Sequence, residues 1–150
     1  MRPDEISGAI RARFPEATEE AGTKNIITPK ESLLEVAQYL RDPPLAFDNL
    51  HCITAIDRKE KVELVYILYS TGERHGVTLK VYLTPDDLNV ASLSAIWKSA
   101  DWLEREVYDL FGITFSGHPD LRRILNPYDW KGYPLRKDYS NPQIIAKPRL

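Results

Sequence analysis

Residues 62–83 read VELVYILYSTGERHGVTLKVYL. Val77, Leu79, Val81 and Leu83 alternate with Thr78, Lys80 and Tyr82. That period of two puts the four apolar side chains on one face of a strand. Val62–Tyr69 forms a second β-rich run, and Thr71-Gly72-Glu73-Arg74 between the two supplies turn residues. Upstream, Leu50–Ile56 reads as another strand. Three consecutive strands with helical patterns on either side predict an α+β fold. We expect a two-layer arrangement: a largely antiparallel or mixed sheet with helices on one face.

On the N-terminal side, Ile6, Ile10 and Phe14 share a helical face, and Pro15 closes a helix over residues 3–14. Ala17–Ile27 reads as a hairpin or extended stretch with Gly22 near its turn. Thr28-Pro29-Lys30-Glu31 has the pattern of a capped helix start, with Thr28 as cap and Glu31 completing the box. Leu33, Val36, Ala37 and Leu40 then form an apolar stripe that Pro43 and Pro44 end. Beyond Asp87 the period becomes helical again, through Ile96, Ala100, Leu103, Val107, Leu110 and Phe111. Gly112 stands at the C-terminal cap, and Ile113–Phe115 can add a short strand. From Gly117 onward periodicity disappears, yet Leu121, Ile124, Leu125, Trp130, Tyr133 and Leu135 can anchor an irregular, extended arm. We therefore divide the chain into a core of residues 1–117 and a Pro/Arg-rich arm of residues 118–150.

Charge follows the same division. Residues 118–150 carry seven Lys/Arg against three Asp, and residues 1–117 carry thirteen basic against nineteen acidic side chains. A basic, aromatic end on an acidic protein suits a tail that meets a polar or acidic protein surface. Three acids among the basic residues make a nucleic-acid groove the weaker reading. Apolar runs such as Leu64–Tyr69 fall far short of the roughly 20 residues that span a bilayer. No signal peptide follows Arg2, so the expected location is cytoplasmic, with membrane attachment only through partners.

The chemistry expected of a free-standing enzyme is sparse. Cys52 is the single cysteine and cannot alone ligate an iron–sulfur cluster. The seven glycines form neither a dinucleotide fingerprint nor a P-loop. His51, His75 and His118 are scattered, and His51 and Cys52, adjacent on a strand, point to opposite faces. We expect no catalytic, cofactor-binding or metal-ligating residue in this chain. The one enzyme-like constellation is Glu104 or Glu106 with His118, a possible acid/base pair. Against it, Asp101, Arg105 and Asp109 are spaced as an i, i+4 ladder of alternating sign that simply stabilises a helix face.

EREVYDLFG at 104–112 and HPDLRRIL at 118–125 are followed by Trp130, Gly132 and PLRKDY at 134–139. In order, spacing and residue type this composite motif resembles the signature of the thirty-kilodalton subunit family, the C subunit of proton-translocating NADH:quinone oxidoreductase (respiratory complex I). The resemblance implies a peripheral component of the hydrophilic arm, on the cytoplasmic side of the membrane. It implies packing on the D subunit, which holds the quinone site, and beside cluster-bearing subunits. FMN and the iron–sulfur clusters would be held by those partners. Electron transfer from NADH to quinone, coupled to proton translocation, would then be supported by this chain without being performed by it. Related subunits serve deazaflavin-, ferredoxin- and hydrogenase-linked membrane complexes, so an equivalent subunit of such a complex is the alternative.

The motif's charged and aromatic residues have physical readings of their own. Arg122 and Arg123 can tie the arm back to Glu104, Glu106 or Asp109 through guanidinium–carboxylate forks, or can reach a partner. Arg136, Lys137 and Asp138, beyond the last clear element, fit contact with a partner. Trp130, Tyr133 and Tyr139 interleaved with arginine match the composition of interface cores. Together with Arg105 and His118 these residues make up the candidate interface.

Overall fold

The computed structural model describes residues 1–142. At its centre lie the paired strands β4 (Val62–Ser70) and β5 (His75–Leu83), antiparallel in unbroken register from Val62 opposite Leu83 to Ser70 opposite His75. β3 (Asn49–Asp57) adds to the other side of β4, with a register shift at His51, between Leu50 and Cys52. Before them in sequence come helix α1 (Pro3–Arg13), the two-residue strands β1 (Thr18–Glu19) and β2 (Ile26–Ile27), and helix α2 (Leu33–Arg41). β1 and β2 form the expected hairpin, and β2 pairs in parallel with β5, so the sheet is mixed, in the order β1-β2-β5-β4-β3.

Alternation does its work on the sheet as the sequence predicts. Val77, Leu79, Val81 and Leu83 are all buried, as are Leu64, Tyr66 and Leu68, while Thr54, Ile67 and Tyr69 are exposed on the other face. The buried set joins Ile6 and Ile10 of α1, and Leu33, Val36, Ala37 and Leu40 of α2, in one continuous core. Each such side chain contributes roughly 1.5–3 kcal/mol by leaving water.

A second unit follows, in which the helix and the strand after it were expected and the strand before it was not. Strand β6 (Asn89–Ala91), helix α3 (Ala100–Phe111) and strand β7 (Thr114–Ser116) make a small β–α–β crossover in which β6 and β7 pair in parallel. Three residues with only Val90 buried leave no period to detect in β6. Trp97 and Ser99 fix the start of α3 beside β3. The Trp97 indole donates to Phe47 O at 2.9 Å, and Ser99 Oγ donates to Leu50 O at 3.0 Å. Gly112, with φ of 76°, ends the helix in the left-handed region where glycine is favoured.

Two local expectations are corrected. Thr28 does not cap α2: its amide donates to Lys80 O, extending the β2–β5 pairing, and Ser32 stands at the helix start instead. The long-range strand bond takes the residue that local chemistry marks as a cap. Ile96 is not part of α3 either; it lies in the turn before the helix, its amide bonded to Leu93 O.

Candidate partner-docking site

α3 carries four charged residues of the motif, and the fold sends them in different directions. Glu104 is fully buried. Its two oxygens accept from Ser92 Oγ and from the Leu93 amide, each at 2.6 Å. Burial raises its pKa, against the lowering effect of those two bonds. His118 packs beside it with Nε2 3.9 Å from Glu104 Oε2, donating to Asp101 O at 3.0 Å. Because His118 Nδ1 accepts the Asp120 amide, the ring holds its proton on Nε2. A carboxylate sealed in this way presents no face to a substrate, and Glu106, its alternative in the acid/base reading, is exposed on the helix.

Asp109 is also fully buried, turned toward the arm. Its Oδ2 accepts the backbone amides of Ile124, Leu125 and Asn126 at 3.1, 2.7 and 2.9 Å. Its Oδ1 accepts from Arg123 Nη1 at 2.8 Å and Asn126 Nδ2 at 2.9 Å. Burial works to raise this pKa, but the amide and guanidinium donors outweigh it and hold the group at about 2. Of the pairings open to Arg122 and Arg123, the structure selects Arg123 with Asp109; Arg122 is exposed and bonds Asp120. The expected Asp101–Arg105–Asp109 ladder is absent. Arg105 Nε instead donates to Arg122 O at 3.2 Å, and its guanidinium stacks 4.7 Å from the Trp102 ring centre. Asp101 and Asp109 find arm partners, so contacts across the fold replace contacts along the helix.

Further along, Arg123 reaches Gly132 O at 2.9 Å and lies over the Tyr133 ring, while the Leu135 amide donates to Leu110 O at 3.0 Å. The arm therefore satisfies two carbonyls of the last turn of α3, those of Asp109 and Leu110. The Lys137 amide donates to Asp57 Oδ2 at 2.8 Å, and Arg136 pairs with Asp138 at 3.3 Å. These residues and Lys59 line a cavity of about 230 Å³. Trp130 and Tyr139 are half-buried, and Tyr139 packs against Gly132. A larger cavity of about 460 Å³, lined by Ile67, Tyr69, His51 and Thr78 on the sheet, includes none of the motif residues.

What remains outward includes four large apolar or aromatic side chains. Trp102 is 63% exposed, Leu125 62%, Tyr128 92% and Leu135 52%. Trp102 was not singled out from the sequence, although its position off the apolar stripe of α3 was a usable signal. Among the described residues no helix is long and apolar enough to cross a membrane.

The family model described as respiratory-chain NADH dehydrogenase, 30 Kd subunit, matches residues 26–143. The chain belongs to that family. It is 42% identical over 137 residues to the NADH-quinone oxidoreductase C subunit of Citrifermentans bemidjiense, covering 87% of this chain and 84% of the relative. The C subunit of the Chlorobium phaeobacteroides enzyme is 46% identical over 109 residues, covering 70% and 66%. Among solved structures, the trypsin-resistant fragment (1–134) of Nqo5 superposes with a TM-score of 0.68 at 32% identity, covering 81% of this chain and all of the fragment. A chain of the membrane-bound sulfane sulfur reductase, an archaeal respiratory membrane complex, gives a TM-score of 0.77 at 25% identity, covering 91% of this chain and 85% of that one. The 30 kDa subunit family thus accounts for the composite motif, the mixed sheet and the helices packed on it.

Proposed function

We propose that the chain is a cofactor-free structural subunit in the hydrophilic arm of a complex I-type NADH:quinone oxidoreductase. It packs on the D subunit at the quinone site and beside cluster-bearing subunits, and supports electron transfer from NADH to quinone coupled to proton translocation. FMN and the clusters belong to those partners, since Cys52 alone cannot furnish a cluster's thiolates. Attachment to the cytoplasmic face of the membrane comes through the complex.

The observation that carries this reading is the division of labour within the motif. Of its two buried carboxylates, Glu104 holds Ser92 and Leu93 ahead of α3 and Asp109 fixes the arm, and the arm in turn displays Leu125, Tyr128 and Leu135. Exposed large apolar and aromatic groups beside arginine are the mark of a surface meant to be covered by another protein. Affinity purification of the tagged chain from gently solubilised native membranes tests it. Co-purification of a quinone-site subunit with cluster- and flavin-bearing chains is the expected result; recovery of the chain alone would sink the reading.

The structural likeness to a chain of the sulfane sulfur reductase complex supports a second reading, an equivalent subunit of a related membrane complex. The same purification separates the two, because a flavin-bearing NADH-oxidising partner is required only by the first.

A further inference from the structure

Residues 123–126 belong to no helix or strand, and their conformation is organised around a single side chain from elsewhere in the fold. Three successive amides converge on one oxygen of Asp109, a concave nest of the kind that binds anions. The other oxygen draws in the Arg123 guanidinium and the Asn126 amide. Buried N–H groups pointing at one place need an acceptor there.

We propose that Asp109 is the latch of the arm: its carboxylate folds residues 123–126 into the turn that displays Leu125 and Tyr128 to a partner protein. The inference rests on the docking reading and adds what holds the docking surface in shape before a partner arrives. The partner surface it fits is an apolar recess edged by carboxylates. Leu125 and Tyr128 supply the apolar contact, and neighbouring Lys131 is exposed, while Arg122 is already paired with Asp120. Residues 118–142 carry five Lys/Arg against three Asp; Arg122, Arg123 and Arg136 are paired with Asp120, Asp109 and Asp138, which leaves exposed Lys131 and Lys137 against Asp129 for the partner's carboxylates.

Asp109 is a positioning residue, so the test reads the arm directly. Asp109→Asn keeps the shape but turns one oxygen into an NH2 group. In either orientation a donor then faces donors, the three amides or the Arg123 guanidinium. In the full-length chain, hydrogen exchange of peptides spanning 119–135 is expected to quicken at least about tenfold in this variant, with peptides from 62–83 unchanged. In membranes, recovery of the variant with its neighbouring subunits is expected to fall at least about fivefold.

Unchanged exchange in the arm overturns the proposal. So does equal loosening of residues 62–83, which would make Asp109 a support of the whole domain, and so does full incorporation of a variant with a loosened arm. Should Asp109→Asn not fold, Asn126→Ala decides. It removes one side-chain donor at the arm's surface, and arm-confined exchange about threefold faster is expected; no change is fatal. If the wild-type chain itself is recovered alone from membranes, the docking reading fails, and the exchange difference then tests the latch by itself.

Discussion

Gly112 and Tyr133 approach each other more closely than any side chain would permit: a Cβ on Gly112 would lie 2.6 Å from Tyr133 Cε2. The helix end and the arm meet there, and the glycine serves both the left-handed turn and the ring above it. Gly112→Ala is expected to lower unfolding free energy by about 2–3 kcal/mol, combining positive-φ strain with displacement of the ring. Urea denaturation of single and double variants separates the two causes. Gly112→Ala made on a Tyr133→Ala background should cost only about 1 kcal/mol, and equal costs on both backgrounds would remove the ring from the account.

Asp109 should leave a signature in acid. With its folded pKa at about 2 against an ordinary 3.8, the group stabilises the folded state fully above 3.8. That stability is lost as pH falls toward 2 and amounts to on the order of 2 kcal/mol. The difference in stability between wild type and Asp109→Asn should therefore be largest at neutral pH and shrink between pH 4 and pH 2. A pH-independent difference, measured by urea unfolding across that range, would contradict the assignment.

Glu104 acts in the opposite sense. Burial raises its pKa, so the folded state binds the proton more tightly and stability declines as pH rises from the ordinary 4.5 through the folded value. Glu104→Gln removes that penalty and retains groups for both partners, because the Ser92 hydroxyl can accept as well as donate. It should change stability by less than about 1 kcal/mol at neutral pH. Glu104→Leu strands the Leu93 amide and should cost about 2–3 kcal/mol. Similar losses for both variants would show that the charge itself is needed.

Trp102→Ala probes the surface without touching the core. At 63% exposure the indole adds little to stability, and the change should stay within about 0.5 kcal/mol in thermal unfolding. Co-purification with neighbouring subunits is nonetheless expected to weaken markedly, since buried tryptophans at interfaces are worth about 2 kcal/mol or more. Full recovery of the complex with this variant would place the interface elsewhere on the chain.

The sheet was legible in the sequence because Val77, Leu79, Val81 and Leu83 carry the strand period in their own side chains. Gly112 was legible for the same reason, being a local signal. Thr28 misled because its backbone partner is Lys80, far along the chain, and no local pattern announces that bond. Arg123 could be narrowed to three carboxylates but not assigned to Asp109. Most of what selects that pair is the backbone amides of residues 124–126, and amides have no residue type to read. Trp102 was visible as an aromatic off its helix's apolar stripe, a clue that only a known burial pattern makes decisive.

The capping of α3 from the arm also orders events during synthesis. A nascent chain that has emerged only to residue 117 already holds the strands from β1 to β7, yet Asp109 and the carbonyl of Leu110 still await Arg123 and Leu135. The helix end is finished by residues that leave the ribosome after all seven strands. Completion of the helix end and presentation of the proposed docking surface thus become the same late event, and a product terminated before residue 123 would be excluded from assembly without any separate checkpoint.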